Sequence, residues 1–180
     1  MTYDVVVREV GPRDGLQLVK QVVTTEIKAE WISQQASLGF SNIEVTSFVP
    51  PKLLLQFGDA AEVVRRANST SDLVASALVL NMKGSQLAME AGAHKICFVL
   101  SASEMHNQSN VRCSTDQSVE MFQKIKAWQG EHYPETFVAA AIATSFGCSL
   151  QGDVSQYRVT ELAALLAELG AREIVLADTV

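Results

Sequence analysis

Surplus basic charge, cysteine pairs and long apolar runs are what this 180-residue chain lacks. Lysine and arginine number 14 against 20 aspartates and glutamates, for a formal net charge of −6, and the cations are scattered. Phosphate backbones and anionic membrane surfaces attract the opposite balance, so no nucleic-acid and no membrane partner is expected. There is no basic start followed by an apolar cleavage region, and no apolar segment is long enough to span a bilayer. The three cysteines, Cys97, Cys113 and Cys148, are an odd number in no metal-ligand spacing. They suit a reduced cytoplasmic chain better than a disulfide framework, and each reads first as a small buried apolar residue. A Gly-x-Gly-x-x-Gly turn is missing after the first β-branched run, where Gly11-Pro12-Arg13-Asp14-Gly15 stands instead. That absence argues against a doubly wound dinucleotide-binding sheet.

What the chain does have is apolar residues at 48% and enough length to build one globular core. Short β-branched runs alternate with longer stretches of helical spacing from end to end. Strands are expected at 4–8, 42–45, 73–80, 95–100, 137–143 and 173–177, with helices at 25–37, 59–67, 84–91, 115–129 and 155–169. Thr24 or Thr25 can cap the first helix, and Ser114 with Asp116 suits the start of the fourth. Gly39, Gly92 and Gly170 each follow a helical run and open a Gly-x-x-x-Ile turn into a strand, as a left-handed C-terminal cap requires. Short αβ turns alternating with longer βα loops point to an α/β fold, a (β/α)8 TIM barrel of which this chain supplies about six units. A barrel of that type closes with eight strands, and an unclosed parallel sheet exposes its edges. The expectation is therefore a single catalytic domain over 1–180, incomplete at its C-terminal end, unless a partner fills the gap.

In such a fold the chemistry collects beyond the carboxyl ends of the strands. There the sequence places Arg13 and Asp14, then Glu44, Thr46 and Ser47, then Asn81 and Lys83, then Ser101, Ser103 and Glu104, then Thr144 and Ser145, then Asp178 and Thr179. Carboxylates of this kind suit a hard divalent cation such as Mg2+ or Mn2+, whereas structural zinc lacks its Cys or His cluster. Each residue also has a plainer reading. Asp14 can bond its own backbone in a turn, Glu44 can hold Arg13 by charge, and Asp178 can cap a helix. His106 lies in a polar stretch, 103–112, and reads as a solvated loop histidine; His94 and His132 fall at the start of a strand and the end of a helix. Lys20, Lys52 and Lys83 read as solvated surface groups.

The segments Arg8-Glu9-Val10-Gly11-Pro12-Arg13-Asp14-Gly15-Leu16-Gln17, Ile43-Glu44-Val45-Thr46-Ser47-Phe48-Val49, Pro51-Lys52 and Gln56-Phe57-Gly58-Asp59 together resemble the 3-hydroxy-3-methylglutaryl-CoA (HMG-CoA) lyases. Asn81-Met82-Lys83-Gly84, Ser101-Ala102-Ser103-Glu104 and Leu176-Ala177-Asp178-Thr179 extend the likeness in order along the chain. The resemblance implies cleavage of HMG-CoA to acetyl-CoA and acetoacetate, with one divalent metal and an acyl-CoA substrate. It implies that Asp14 ligates the metal, that Arg13 stabilises the developing enolate oxygen, that Glu44 orients Arg13 and that Asp178 assists proton movement. Arg13, Gln17, Ser47 and Thr179 are the substrate contacts it implies. A His-x-His pair, an Asn ligand and a Gly-rich loop with a reactive Cys would lie beyond Val180 on the same likeness. Leu80 stands where a proline is expected, and Thr144-Ser145-Phe146-Gly147-Cys148-Ser149 departs from a Cys-x-x-Gly-Cys-Pro pattern. Those departures bear on the acyl group, leaving open a lyase for another 3-hydroxyacyl-CoA or an acetyl-CoA-condensing synthase of the same superfamily. Outside enzymes, a half-barrel that binds a partner or forms a homo-oligomer through its open edge is also consistent with the sequence.

Overall fold

Gly39, Gly92 and Gly170 adopt left-handed backbone with φ of +98°, +87° and +93°, each ending a helix before a strand. The repeated helix-to-strand turn is thus the joint of the architecture, and a Cβ-bearing residue there would be strained. The computed structural model describes residues 5–179. It divides into two compact units.

The first unit contains the chain up to Val79 and Gln86–Ile96. Its elements are β1 (Arg8–Glu9), α1 (Thr25–Ser37), β2 (Asn42–Ser47), α2 (Ala60–Ala67) and β3 (Val74–Val79). The strands lie side by side in the order β1-β2-β3, all parallel. From Ile43 to Ser47 every residue of β2 is buried, as expected of a parallel strand covered on both faces. Ile32, Ile43, Val63, Val64, Ala75 and Val79 form its fully buried core.

The second unit contains Leu80–Ser85 and the chain from Cys97 onward. α3 (Met82–Glu90) starts in it, and most of β4 (Lys95–Ser101) belongs to it, followed by α4 (Glu104–Val111), α5 (Thr115–His132), β5 (Phe137–Ala143), α6 (Gln156–Glu168) and β6 (Glu173–Leu176). Strand β5 lies between β4 and β6, and β5 and β6 pair in parallel. Cys97, Ala139 and Ala141 form a cluster of small buried residues joined by Val99, Phe137 and Val175. The intervening Phe98 meets Phe122 of α5 with ring centroids 5.8 Å apart. Alternation along the strands assigns these two sets to opposite faces.

Three local expectations change. The first strand is two residues long, because β2 begins at Asn42, opposite Arg8, and offers no partner further back. Val5, Val6 and Val7 are accordingly 75%, 65% and 64% exposed, while Asp4 falls outside the described residues. The stretch 103–112 contains a helix, α4, whose polar sequence has no apolar stripe to announce it. It starts where Ser103 Oγ accepts the His106 amide and stops where Arg112 turns left-handed, φ 60°. Thr24 occupies the N-cap of α1 without a side-chain cap bond. Ser114 and Gln117, by contrast, form a complete capping box on α5.

Candidate active site

Immediately after β1 the chain makes a five-residue π-helical turn, Gly11–Gly15, with Pro12 buried beneath it. Proline near its start suits a turn whose first amides have no partner within it. Gly11 is required by space, since an added Cβ would sit 2.8 Å from Glu9 Oε1 and 3.2 Å from the Trp31 ring. The turn presents Arg13 and Asp14 side by side. Arg13 Nη1 donates to Asp14 Oδ1 at 2.7 Å, while Arg13 Nε donates to Oε1 of Glu44 in a short contact. The side chain of Glu44 is 4% exposed, that of Arg13 17% and that of Asp14 61%. A buried carboxylate thus anchors one edge of the guanidinium, and the solvent-facing carboxylate beside it retains an oxygen, Oδ2, with no hydrogen-bond partner among the described residues.

Strand β2 carries an irregularity next to Glu44, where the register with β3 shifts between Glu44 and Thr46. Bulges of this kind re-aim side chains at strand ends. Beyond it Thr46 is 1% exposed, and its hydroxyl has no hydrogen-bond partner among the described residues. Ser47 is buried too, and its hydroxyl reaches the Leu78 carbonyl at 3.4 Å. Gln17 is exposed on the connection that follows the turn.

The first unit also holds a polar network that sequence reasoning left without a role. Lys28 of α1 is 2% exposed, and its ammonium donates to the Gln56 carbonyl in a short contact and to Asp59 Oδ1 at 2.7 Å. Thr25 donates to Asp59 Oδ2 at 2.7 Å. The Gln56 side chain, in a residue 5% exposed, bonds the backbone of 16–23 at three points. Gln56 and Asp59 lie inside a segment that carries the family likeness, and that was the available signal; nothing in the spacing of α1 singled out Lys28.

In the second unit Asp178 and Thr179 follow β6 and are exposed. Thr144, at the end of β5, has left-handed backbone with φ 58°, a rare conformation for a β-branched residue. This aims its amide at Thr179 Oγ1, 3.0 Å away, while its own hydroxyl accepts the Ser103 amide at 3.1 Å. His106 is no solvated loop residue: it is half-buried in α4, and its Nδ1 shares a 2.7 Å hydrogen bond with Ser101 Oγ. His132 stacks on Trp128, centroids 4.9 Å apart, and His94 Nδ1 accepts the Ala75 amide at 3.3 Å in the first unit. Asn81 accepts the Gly84 amide at 2.9 Å and caps α3. A hydrogen bond with Ser103, aided by the Leu150 and Gln151 amides, holds the Cys148 thiol below its usual range, against the opposing effect of burial. Among the described residues no disulfide joins the three cysteines.

A hard cation prefers carboxylate oxygens, and Asp14 fits as one such ligand. Among the described residues no group of three or more His, Cys, Asp or Glu side chains could hold a metal ion, so Asp14 offers a single ligand rather than a cage.

The profile of the HMGL-like family matches residues 4–180. The chain belongs to the HMGL-like family. It is 36% identical over 176 residues to the Bacillus subtilis hydroxymethylglutaryl-CoA lyase YngG, covering 98% of this chain and 58% of that protein. It is likewise 36% identical to the human mitochondrial hydroxymethylglutaryl-CoA lyase, covering 96% of this chain and 52% of that one. Among solved structures, an HMG-CoA lyase from Acinetobacter baumannii in complex with coenzyme A and 3-methylmalate superposes with a TM-score of 0.92 at 38% identity, covering 99% of this chain and 59% of that one. Over the part it spans, just over half the length of the curated relatives it matches, this HMGL-like chain has the βα fold of those lyases. Similar proteins include lyases named cytoplasmic, from zebrafish and mouse, and mitochondrial. No helix among the described residues is long and apolar enough to cross a membrane.

Proposed function

We propose that this HMGL-like chain carries the Arg13-Asp14 half of a metal-assisted carbon-carbon lyase site that cleaves HMG-CoA to acetyl-CoA and acetoacetate. The observation that supports it is Arg13 pinned between buried Glu44 and exposed Asp14 on the turn after β1, in a chain 36% identical to such lyases. Asp14 would hold Mg2+ or Mn2+, and the bound ion supplies the acidity that eases loss of the tertiary hydroxyl proton. Arg13 directs its guanidinium at the oxygen of the acetyl thioester that gathers charge as the bond breaks. Held in place before the reaction, that cation needs no reorganisation during it, so it lowers the barrier rather than merely binding substrate. Glu44 fixes the rotamer of Arg13; lysine would lack the planar fork that lets one group meet both carboxylates. Gln17 and Ser47 are the acyl-CoA contacts this reading gives to the first unit. Three cysteines that form no disulfide among the described residues favour the cytoplasm as the working compartment.

The test is acetoacetate release from HMG-CoA by the purified protein with Mg2+ or Mn2+, repeated after chelation and in Arg13→Met and Asp14→Asn. The expected outcome is turnover that needs the ion and both side chains. No acetoacetate with either cation, or undiminished turnover in Arg13→Met, overturns the reading. Free thiol released from acetyl-CoA with a 2-oxo acid instead would assign a condensing synthase.

A further inference from the structure

The connection between the Arg13-Asp14 turn and α1 has almost no apolar anchor. Leu16 is 5% exposed, but Leu18, Val19 and Val22 are 83%, 45% and 53% exposed, and Gln17, Lys20 and Gln21 face solvent. Burial therefore does little to hold this segment. One side chain holds it instead. Gln56 Nε2 donates to the Leu16 carbonyl at 3.3 Å and to the Gln21 carbonyl at 3.1 Å, and its Oε1 accepts the Val23 amide at 2.8 Å. Both donor hydrogens and the carbonyl of the amide are thus used on backbone of one loop. Leu16 is in turn the residue whose amide closes the turn, bonding the Arg13 and Gly11 carbonyls. Behind Gln56, the buried Lys28 ammonium grips its main-chain carbonyl and is neutralised by Asp59, which also receives Thr25. Lys28 and Thr25 lie in the first turn and a half of α1, so the helix, the loop and the site turn are tied through Gln56.

We propose that Gln56 is a positioning residue for the Arg13-Asp14 site, with Lys28 and Asp59 holding it from behind. It touches neither reacting atoms nor metal in this reading; it fixes the carbonyl of Leu16, the residue whose amide closes the turn bearing Arg13 and Asp14, and the loop bearing Gln17. The part concerning catalysis rests on the lyase reading, whereas the part concerning the loop does not.

Gln56→Glu tests both in the purified protein. It keeps the volume and the acceptor but turns two donors into a carboxylate oxygen facing two carbonyls. Amide exchange across Leu16–Val23 should quicken about tenfold or more while α2 and β3 keep their protection, and kcat/KM for HMG-CoA should fall roughly 10- to 100-fold, the cost of about an ångström of misplacement. The fall should appear in kcat per folded molecule, which a general loss of stability leaves unchanged. If Gln56→Glu does not fold, Gln56→Met, which sets no like charge against those carbonyls, carries the same two readouts. Unchanged exchange in the loop overturns the inference whatever the activity does. Faster loop exchange with unchanged kcat/KM also overturns it. Wild-type protein inert toward HMG-CoA, with the loop still loosened in the variant, overturns the lyase reading and leaves the clamp standing.

Discussion

Removing Arg13 should cost stability as well as turnover, because of what it leaves behind. Glu44 has a side chain 4% exposed, and Arg13 is the partner the structure gives it. Arg13→Met leaves that buried carboxylate without the cation that neutralises it. Breaking a buried pair from one side costs about 3 to 5 kcal/mol, because the remaining charge loses its partner without regaining water. Arg13 is itself 17% exposed, so some solvent reaches the pair and the lower figure applies. At ~2 to 4 °C per kcal/mol for a chain of this size, ~3 kcal/mol lowers the melting temperature by roughly 6 to 12 °C. Adding Glu44→Leu removes the stranded charge and fills much of its space, so the double variant should recover most of that fall while remaining inactive. Thermal melts of the two variants at pH 7, followed by circular dichroism, decide it. Refutation is an Arg13→Met melt within a degree or two of wild type, or a double variant that melts no higher than the single.

Other outcomes follow from single contacts. Ser114→Ala removes the hydroxyl half of the α5 capping box and should cost about 1 kcal/mol in urea unfolding, with the m-value unchanged. Gly39→Ala meets no atom within 4 Å of the new Cβ, so its whole cost, about 1 to 2 kcal/mol, should come from the left-handed backbone; a neutral substitution would refute that. The Thr115 amide at 2.9 Å, helped by Gln108, holds the Glu104 carboxyl below its ordinary value. A carboxyl whose folded value is depressed stabilises the fold fully above its unfolded value, about 4.3, and loses that contribution as pH falls through the folded one. Thr115 amide protection should therefore hold from pH 7 to 5 and decline below about 4, a decline absent in Glu104→Gln.

Much of this could be read from the residues, and particular positions show where reading stopped. Gly39, Gly92 and Gly170 marked the helix ends because no other residue takes left-handed backbone so readily, and the structure gives all three positive φ. Arg13 could be named from its place after the first strand and Glu44 from the strand that follows, although the structure sets Glu44 within β2, since parallel βα units send every strand end to one side. Helix α4 could not be read, because its stability comes from the Ser103 cap and from buried Asn107, whose amide bonds Ser118 and the Cys113 carbonyl, rather than from an apolar stripe. Within α1 the hydrophobic pattern points the wrong way: Ile27 is 56% exposed while Lys28 is buried. Lys28 goes inward because Asp59 and the Gln56 carbonyl, about thirty residues away in sequence, are there to satisfy its charge.

The alternation of strands and helices, α4 excepted, and the turn bearing Arg13 and Asp14 were therefore set by local rules: periodicity, capping and glycine backbone freedom act between neighbours and are visible in one chain of letters. Tertiary structure alone decided that Lys28 turns inward to Asp59, that Thr144 is strained toward Thr179, and that Gln56 holds the loop beside the site. Each of those depends on a polar group finding its partner from a distant segment, and burial makes the partner obligatory without recording in the sequence which residue it will be.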